Sequence, residues 1–99
     1  YDAQYEAVAA NRMSGGDITT VTLAGKYCET GDILVKDIAL PSLDSGDIVA
    51  IPASGAYCIA MSSNYNMNPR PEIVMVSQGT ARVIRKRETY KDLMALDLP

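Results

Sequence analysis

A cysteine followed by a glutamate marks the segment of this 99-residue sequence where chemistry is easiest to place. Cys28 and Glu29 precede Thr30-Gly31-Asp32, whose residue types are typical of a turn. In a regular strand the two side chains would point to opposite faces, whereas a turn lets both project from one loop. A thiol beside a carboxylate stays protonated near neutral pH, because the existing negative charge disfavours a second one. The pair therefore suits proton donation better than nucleophilic attack, although a small buried cysteine beside a surface glutamate explains the same residues.

Tyr57 is the second candidate for a chemical role. It ends the segment Ser54-Gly55-Ala56-Tyr57, which lies within a stretch, 48–69, that has no charged residue. Small residues let a backbone approach a ligand closely, and the tyrosine hydroxyl can donate to a phosphate or a carboxylate. A tight turn with a core tyrosine is the plainer interpretation. The aperiodic tract that follows, 62–71, fits either a functional loop or an interface.

Composition excludes several classes of function. With 9 basic and 12 acidic residues, the net charge of −3 gives no electrostatic reason to expect nucleic acid or a membrane as a partner. There is no histidine, so a His-ligated metal and a Ser-His or Cys-His pair are excluded within this sequence, and we predict no metal site. Two cysteines, Cys28 and Cys58, are too few for a disulfide scaffold, and the sequence does not open on a signal peptide. We therefore expect a cytoplasmic protein.

Apolar and polar residues alternate over several short segments, which predicts that β-strands position Cys28, Glu29 and Tyr57. The composition, 47% hydrophobic and 21% charged, is that of one globular domain over residues 1–99. Strands are predicted at 5–10, 18–23, 33–38, 47–51, 72–76 and 81–85. A hairpin loop at 77–80 joins the last two, and Thr89 with Asp92 has the capping-box spacing of a helix start. The expected fold is mainly β, an antiparallel Greek-key-like barrel or sandwich of about six strands with a short C-terminal helix.

The order of these motifs resembles the C-terminal domain of the diaminopimelate decarboxylase family, within the fold-type III pyridoxal-phosphate decarboxylases. The resemblance runs nearly end to end. It rests on the segments 23–32, 46–47, 54–57, 61–66, 69–71 and 87–89. Cys-Glu-x-Gly-Asp, Gly-Ala-Tyr and Ser-Ser-x-Tyr-Asn are specific together, whereas each alone is weak.

The resemblance implies a lyase of lysine biosynthesis that converts meso-diaminopimelate to L-lysine and CO2 with pyridoxal 5'-phosphate. It also implies an N-terminal (β/α)8 barrel that holds the cofactor and a second subunit in a homodimer. By position, Cys28 resembles the acid that protonates the substrate after CO2 leaves, and Glu29 the residue that reads the distal end of the substrate. Tyr57 resembles a tyrosine at the cofactor and substrate, and Tyr1 one that helps bind the distal carboxylate. The family's Schiff-base lysine lies upstream, so these 99 residues are expected to be inactive alone.

Two other interpretations stay open. Ornithine- and arginine-type decarboxylases resemble the same domain, but they typically place aspartate where Glu29 stands, so Glu29 favours diaminopimelate. A non-catalytic β-domain for dimerisation or binding is the alternative from another class. It treats Cys28 as a packing residue and the uncharged tract as an interface.

Overall fold

The computed structural model describes residues 3–98, and β-strands dominate their regular structure. In chain order the elements are β1 (Val8–Ala9), β2 (Ile18–Ala24), β3 (Ile33–Pro41), β4 (Val49–Ala50), α1 (Gly55–Met61), β5 (Ile73–Ser77), β6 (Thr80–Arg85) and α2 (Tyr90–Leu93). The chain divides after Ala56 into two compact units. The prediction of a mainly β fold with a short C-terminal helix is confirmed, whereas the one-domain organisation stays a prediction. No helix within residues 3–98 is long and apolar enough to cross a membrane.

An antiparallel pair, β2 and β3, is the main feature of the first unit. Ile18 lies opposite Pro41, and Ala24 lies opposite Ile33. The register shifts between Val21 and Leu23 and again between Leu23 and Ala24, so the ladder is irregular at the end of β2 next to the bend. β-branched residues fill much of both strands and favour this extended backbone. Because Ala24 pairs with Ile33, the eight residues between them must turn back within a short distance.

The buried apolar core of the described residues is small and lies entirely in this unit. Its members are Ala7, Ala9, Val35 and Leu40, which come from β1, the residue before it, and β3. β1 also pairs with β4, with Val8 opposite Ala50. Two alanines contribute little apolar area, so this core stabilises the unit only modestly.

Polar contacts attach the turn before β4 to the end of β1. Arg12 forms ion pairs with Asp44 at 3.2 Å and with Asp47 at 2.9 Å. Asn11 donates to the carboxylate of Asp47 and accepts from the backbone N–H of Ile48. Hydrogen bonds from the Asp44 N–H and the Asn11 amide, together with the Arg12 charge, lower the pKa of Asp47. These contacts fix the turn although few apolar side chains are buried there.

The β5–β6 hairpin is the main feature of the second unit. Ser77 pairs with Thr80, and the two residues between them, Gln78 and Gly79, have φ values of 49° and 75°. Positive φ at both central positions defines a type I′ turn, whose twist matches that of the flanking strands. Apolar side chains on both faces of the hairpin are exposed: Val74, Met75, Val76, Val83 and Ile84. None of the residues 57–98 is fully buried.

The helix α2 begins as predicted. The side chain of Thr89 accepts from the Asp92 N–H, and the Asp92 carboxylate accepts from the Thr89 N–H at 2.7 Å. This reciprocal pair satisfies two backbone donors at the helix start. Hydrogen bonds to Asp92 from the side chain and backbone of Thr89 lower its pKa.

Three details differ from the sequence prediction. The segment with Ser54 to Tyr57 was expected as a turn in an irregular tract, but residues 55–61 form the helix α1. Alanine and methionine favour a helix there, and no proline or apolar periodicity competes with that preference. β1 and β4 are two-residue bridges, shorter than the predicted 5–10 and 47–51. The described strands form three separate two-stranded sheets, so closure into a barrel or sandwich stays a prediction.

Replacing Gly79 by alanine is expected to lower the free energy of unfolding by about 1 kcal/mol, because a Cβ is penalised in the left-handed region. Gly55→Ala is the matched control. A Cβ at that position in α1 meets open space, so this variant should be neutral or slightly more stable. Urea unfolding of both variants checks the difference. An equal loss of stability in the two would contradict the turn assignment.

Candidate functional site

The candidate site of the first unit is the bend between β2 and β3. It consists of residues 25–32 and ends in a 3-10 turn, Thr30–Asp32. Cys28 and Glu29 both lie on this bend, and both are exposed. The structure therefore places the two side chains on one loop, as the turn residues after them predicted. Cys28 is a free thiol.

Three hydrogen bonds hold the bend closed, of which Asp32 accepts two and donates one. Its carboxylate accepts from the backbone N–H of Tyr27 at 2.5 Å, directly before Cys28. Its carbonyl accepts from the Gly25 N–H at 2.8 Å, and its own N–H donates to the Glu29 carbonyl at 3.2 Å. Asp32 is half-buried, whereas Cys28 and Glu29 are exposed. Asp32, the last residue of the loop, thus bonds to its first residue and to the residues on either side of Cys28.

Two glycines make room for the acidic side chains of the bend. A Cβ on Gly25 would overlap the carboxylate of Asp32, so only glycine permits that approach. A Cβ on Gly31 would lie 2.8 Å from Oε1 of Glu29, which means that the Glu29 side chain folds back over Gly31. Lys26 places its ammonium 5.7 Å from the ring centroid of Tyr27. The loop is therefore a specific, closely packed conformation.

Tyr57, the second candidate, lies in the helix α1, and its side chain is 74% exposed. The neighbouring Cys58 is also an exposed free thiol. Tyr57 belongs to the second unit, whereas Cys28 and Glu29 belong to the first. Tyr1 lies outside the described residues.

A polar network in the second unit is centred on the Glu88 carboxylate. That carboxylate accepts from the backbone and guanidinium of Arg70 at 2.8 and 2.9 Å, and from the Asn64 amide at 2.7 Å. Arg85 adds a longer contact at 3.3 Å, and Arg70 also donates to the carbonyl of Ser62. The Arg70 backbone N–H, the Asn64 amide and the Arg70 guanidinium lower the pKa of Glu88 from its ordinary 4.5 to about 2. The aperiodic tract 62–71 is therefore attached to the segment after β6.

This network supports a strained turn. Asn66 and Met67 have φ values of 54° and 57°, and the left-handed region is unusual for a methionine. The Asn64 amide also donates to the carbonyl of Asn68 at 3.1 Å and so spans the turn. Such strain persists only where the surrounding contacts determine the conformation.

Sequence reasoning did not assign roles to Asp32, Arg70 or Glu88. All three lie in motifs that carried the family resemblance, but their types alone suggest only turn and surface residues. The sequence does indicate them in one way: each is a charged residue within a short motif of the family resemblance.

No group of three or more Cys, Asp or Glu side chains in the described part of the chain is arranged to hold a metal ion. The exposed groups offer a thiol, a carboxylate and a phenol hydroxyl. Arg12 and Arg70 are engaged in ion pairs within the chain. The thiol and the phenol hydroxyl can donate a hydrogen bond and the carboxylate can accept one, so each is able to contact a polar ligand.

Fold and site together define a β-rich domain with an exposed thiol and an exposed carboxylate on one loop. A family model described as the C-terminal sheet domain of pyridoxal-dependent decarboxylase matches residues 1–55. The chain belongs to this family, which confirms the resemblance inferred from its motifs.

Curated relatives match nearly the whole chain. Diaminopimelate decarboxylase from Bacillus subtilis is 50% identical over 99 residues, which are 100% of this chain and 23% of the relative. The enzyme of the same name from a Synechocystis species is 53% identical over 97 residues, 98% of this chain and 21% of the relative. The chain thus spans about a fifth of the length of these relatives.

Solved structures share the fold. A diaminopimelate decarboxylase from M. jannaschii, in a co-complex with L-lysine, has a TM-score of 0.91 and 36% identity, over 100% of this chain and 22% of its own. The Helicobacter pylori enzyme complexed with L-lysine has a TM-score of 0.87 and 35% identity, over 98% of this chain and 24% of its own. At these identities the likeness extends beyond the fold to the sequence.

The Glu88 network predicts a specific acid sensitivity. The folded-state pKa of Glu88 is below its ordinary value, so the carboxylate stabilises the fold fully above about pH 4.5. That contribution is lost as the pH falls from 4.5 towards 2. Glu88→Gln is expected to unfold at lower urea concentration at pH 7, and to lose less further stability than wild type on acidification.

Asp44→Asn is the matched control for this experiment. The Asp44 side chain is 79% exposed in its ion pair with Arg12, so removal of its charge should change stability little. Urea titrations from pH 3 to pH 7 compare the three proteins. Parallel stability curves for wild type and Glu88→Gln would contradict the assigned role of Glu88.

Proposed function

We propose that this chain is the C-terminal part of a diaminopimelate decarboxylase, which converts meso-diaminopimelate to L-lysine and CO2 with pyridoxal 5'-phosphate. The observation that carries the proposal is an exposed bend with Cys28 and Glu29, in a chain half identical to curated diaminopimelate decarboxylases. Solved relatives complexed with L-lysine, the product of this reaction, support the same substrate class. The 99 residues alone are proposed to be inactive.

Cys28 is the proton donor in this proposal. The bound cofactor supplies the electron sink that allows the bond between the substrate α-carbon and its carboxyl carbon to break. Once CO2 has left, the proton on Sγ of Cys28 moves to the α-carbon, and the resulting thiolate regains a proton from solvent. An exposed, free thiol at the surface of the domain can reach a substrate held by another domain or subunit.

Glu29 supplies the substrate specificity. Its carboxylate is exposed on the same loop as the thiol and can accept hydrogen bonds from the distal ammonium group of meso-diaminopimelate. A charged hydrogen bond of this kind contributes about 1.5–3 kcal/mol when its partner is desolvated. A substrate without that group would leave the carboxylate unpaired.

The remaining parts of the proposal concern the complete protein. Tyr57 donates its hydroxyl to the cofactor or substrate, and Tyr1 helps bind the distal carboxylate. An N-terminal (β/α)8 barrel holds the cofactor, and the site is completed across a homodimer. Exposed apolar residues on both faces of the β5–β6 hairpin support packing against further protein. In that context the sheets join into a Greek-key-like barrel or sandwich, and the enzyme acts in the cytoplasm.

An ornithine- or arginine-type decarboxylase is the second candidate within the superfamily. Glu29 argues against it, since those enzymes typically carry aspartate at this position. A non-catalytic dimerisation domain is the candidate from another class, and it requires Cys28 to serve only in packing. The exposure of the Cys28 side chain favours the proton-donor role.

Replacing Cys28 by alanine in the full-length enzyme should lower kcat by roughly 10²–10⁴-fold, the usual contribution of a positioned acid. Cys58→Ala is the matched control, because it removes the other exposed free thiol. Formation of CO2 and L-lysine is measured with sedimentation of the dimer in parallel. Full activity of Cys28→Ala would support the packing role, whereas lost activity with an intact dimer supports proton donation.

Replacing Glu29 by aspartate should reduce kcat/KM for meso-diaminopimelate by about tenfold or more, because the shorter side chain withdraws the carboxylate from the distal group. Glu6→Asp removes one methylene from another exposed glutamate of the same unit and should have no effect. Both variants are assayed with meso-diaminopimelate, ornithine and arginine. Wild-type turnover of diaminopimelate by Glu29→Asp, or a wild-type enzyme that prefers ornithine or arginine, would overturn the assigned specificity.

A further inference from the structure

The bend that carries Cys28 and Glu29 is held by a side chain that takes no part in the proposed proton transfer. Asp32 lies four residues after Cys28 and three after Glu29, and it is half-buried. Its carboxylate accepts the backbone N–H of Tyr27 at 2.5 Å. This hydrogen bond ties the end of the bend to the residue immediately before the thiol.

We propose that Asp32 is a positioning residue, which fixes the Tyr27–Cys28–Glu29 backbone so that the thiol and the carboxylate are presented together. The catalytic part of this inference rests on the proposed function, whereas the structural part does not. The carboxylate accepts the backbone N–H of Tyr27, and the backbone of Asp32 bonds to Gly25 and Glu29, so the side chain adds a restraint at the residue before the thiol. That restraint is needed because the bend lies at the surface and few apolar contacts hold it.

Gly25 provides a second, independent observation for the same role. A Cβ on Gly25 would overlap the Asp32 carboxylate, so the carboxylate can lie where it does only because residue 25 has no side chain. The Gly25 N–H also donates to the Asp32 carbonyl at 2.8 Å. An alanine at position 25 would force the carboxylate to rotate away and to release the Tyr27 N–H.

The role of Asp32 is that of a hydrogen-bond acceptor. An asparagine has nearly the same shape, and its amide oxygen can accept the Tyr27 N–H, whereas an alanine cannot. Asp32→Asn should therefore preserve the bend, and Asp32→Ala should release it. This pair separates the hydrogen bond from the side-chain charge.

The test uses the full-length enzyme and two readouts. Asp32→Ala should lower kcat for meso-diaminopimelate by about tenfold or more, because small displacements of reacting groups are costly. Asp32→Asn should stay within about threefold of wild type, since the acceptor is retained. Hydrogen exchange at the Tyr27 amide should be faster in Asp32→Ala and unchanged in Asp32→Asn. Asp17→Ala removes an exposed carboxylate before β2 and should change neither readout.

A double variant keeps the inference testable if one substitution also affects folding. Gly25→Ala should impair kcat and expose the Tyr27 amide, because it displaces the same carboxylate. Gly25→Ala combined with Asp32→Ala should be no worse than Asp32→Ala alone, since the overlap then disappears. Strict additivity of the two losses would overturn the inference.

Two further outcomes overturn it. One is wild-type kcat and wild-type exchange in Asp32→Ala. The other is an Asp32→Asn variant as impaired as Asp32→Ala, which would show that charge is required and not the hydrogen bond. If wild-type enzyme releases no CO2 from diaminopimelate, the proposed function fails. The exchange measurements on Tyr27 would still decide whether Asp32 holds the bend.

Discussion

The antiparallel pairing of β2 with β3 is the constraint on which the candidate site depends. With Ala24 opposite Ile33, eight residues must reverse direction, and an unsupported loop of that length would adopt many conformations. Asp32 restricts them by contacting Gly25, Tyr27 and Glu29. Glycines at positions 25 and 31 let acidic side chains lie against the backbone where a Cβ would intrude. The β2–β3 pairing, the hydrogen bonds of Asp32 and the two glycines together give the exposed thiol and carboxylate a defined position without burial.

In the second unit, too, hydrogen bonds to a carboxylate hold a region with little apolar burial. The motifs 61–66 and 69–71, which are neighbours in sequence, meet the distant motif 87–89 at the Glu88 carboxylate. Apolar burial does not hold them, since no residue of 57–98 is fully buried. Charge-assisted hydrogen bonds hold the turn with Asn66 and Met67 in its strained conformation. In both units, therefore, a carboxylate that binds backbone N–H groups compensates for a small core.

Features set by local sequence could be predicted, and features set by long-range contacts could not. The β2 and β3 strands, the β5–β6 hairpin and the capping box of Thr89 follow from residue types within a few positions. The bend with Cys28 and Glu29 follows in the same way from Thr30-Gly31-Asp32. The helix α1 was missed, because its uncharged sequence has no apolar period and Gly55 suggests a turn. Glu88 was missed as well, because its partners lie 18 and 24 residues away.

The exposure of Cys28 and Glu29 determines what the proposed chemistry would require from a covering surface. In the structure, Cys28 is an exposed free thiol, and the exposed Glu29 side chain does not cap the 3-10 turn that follows it. An unpaired carboxylate at the surface costs little while water solvates it, but it binds an ammonium group strongly once water is excluded. The bend itself cannot exclude water, because its neighbours are exposed as well. A surface that covers the bend would exclude water from Cys28 and Glu29 and so make the thiol a selective acid and the carboxylate a selective binding group. The relatives are four to five times as long as this chain, so most of each relative lies outside the matched segment and can supply such a surface.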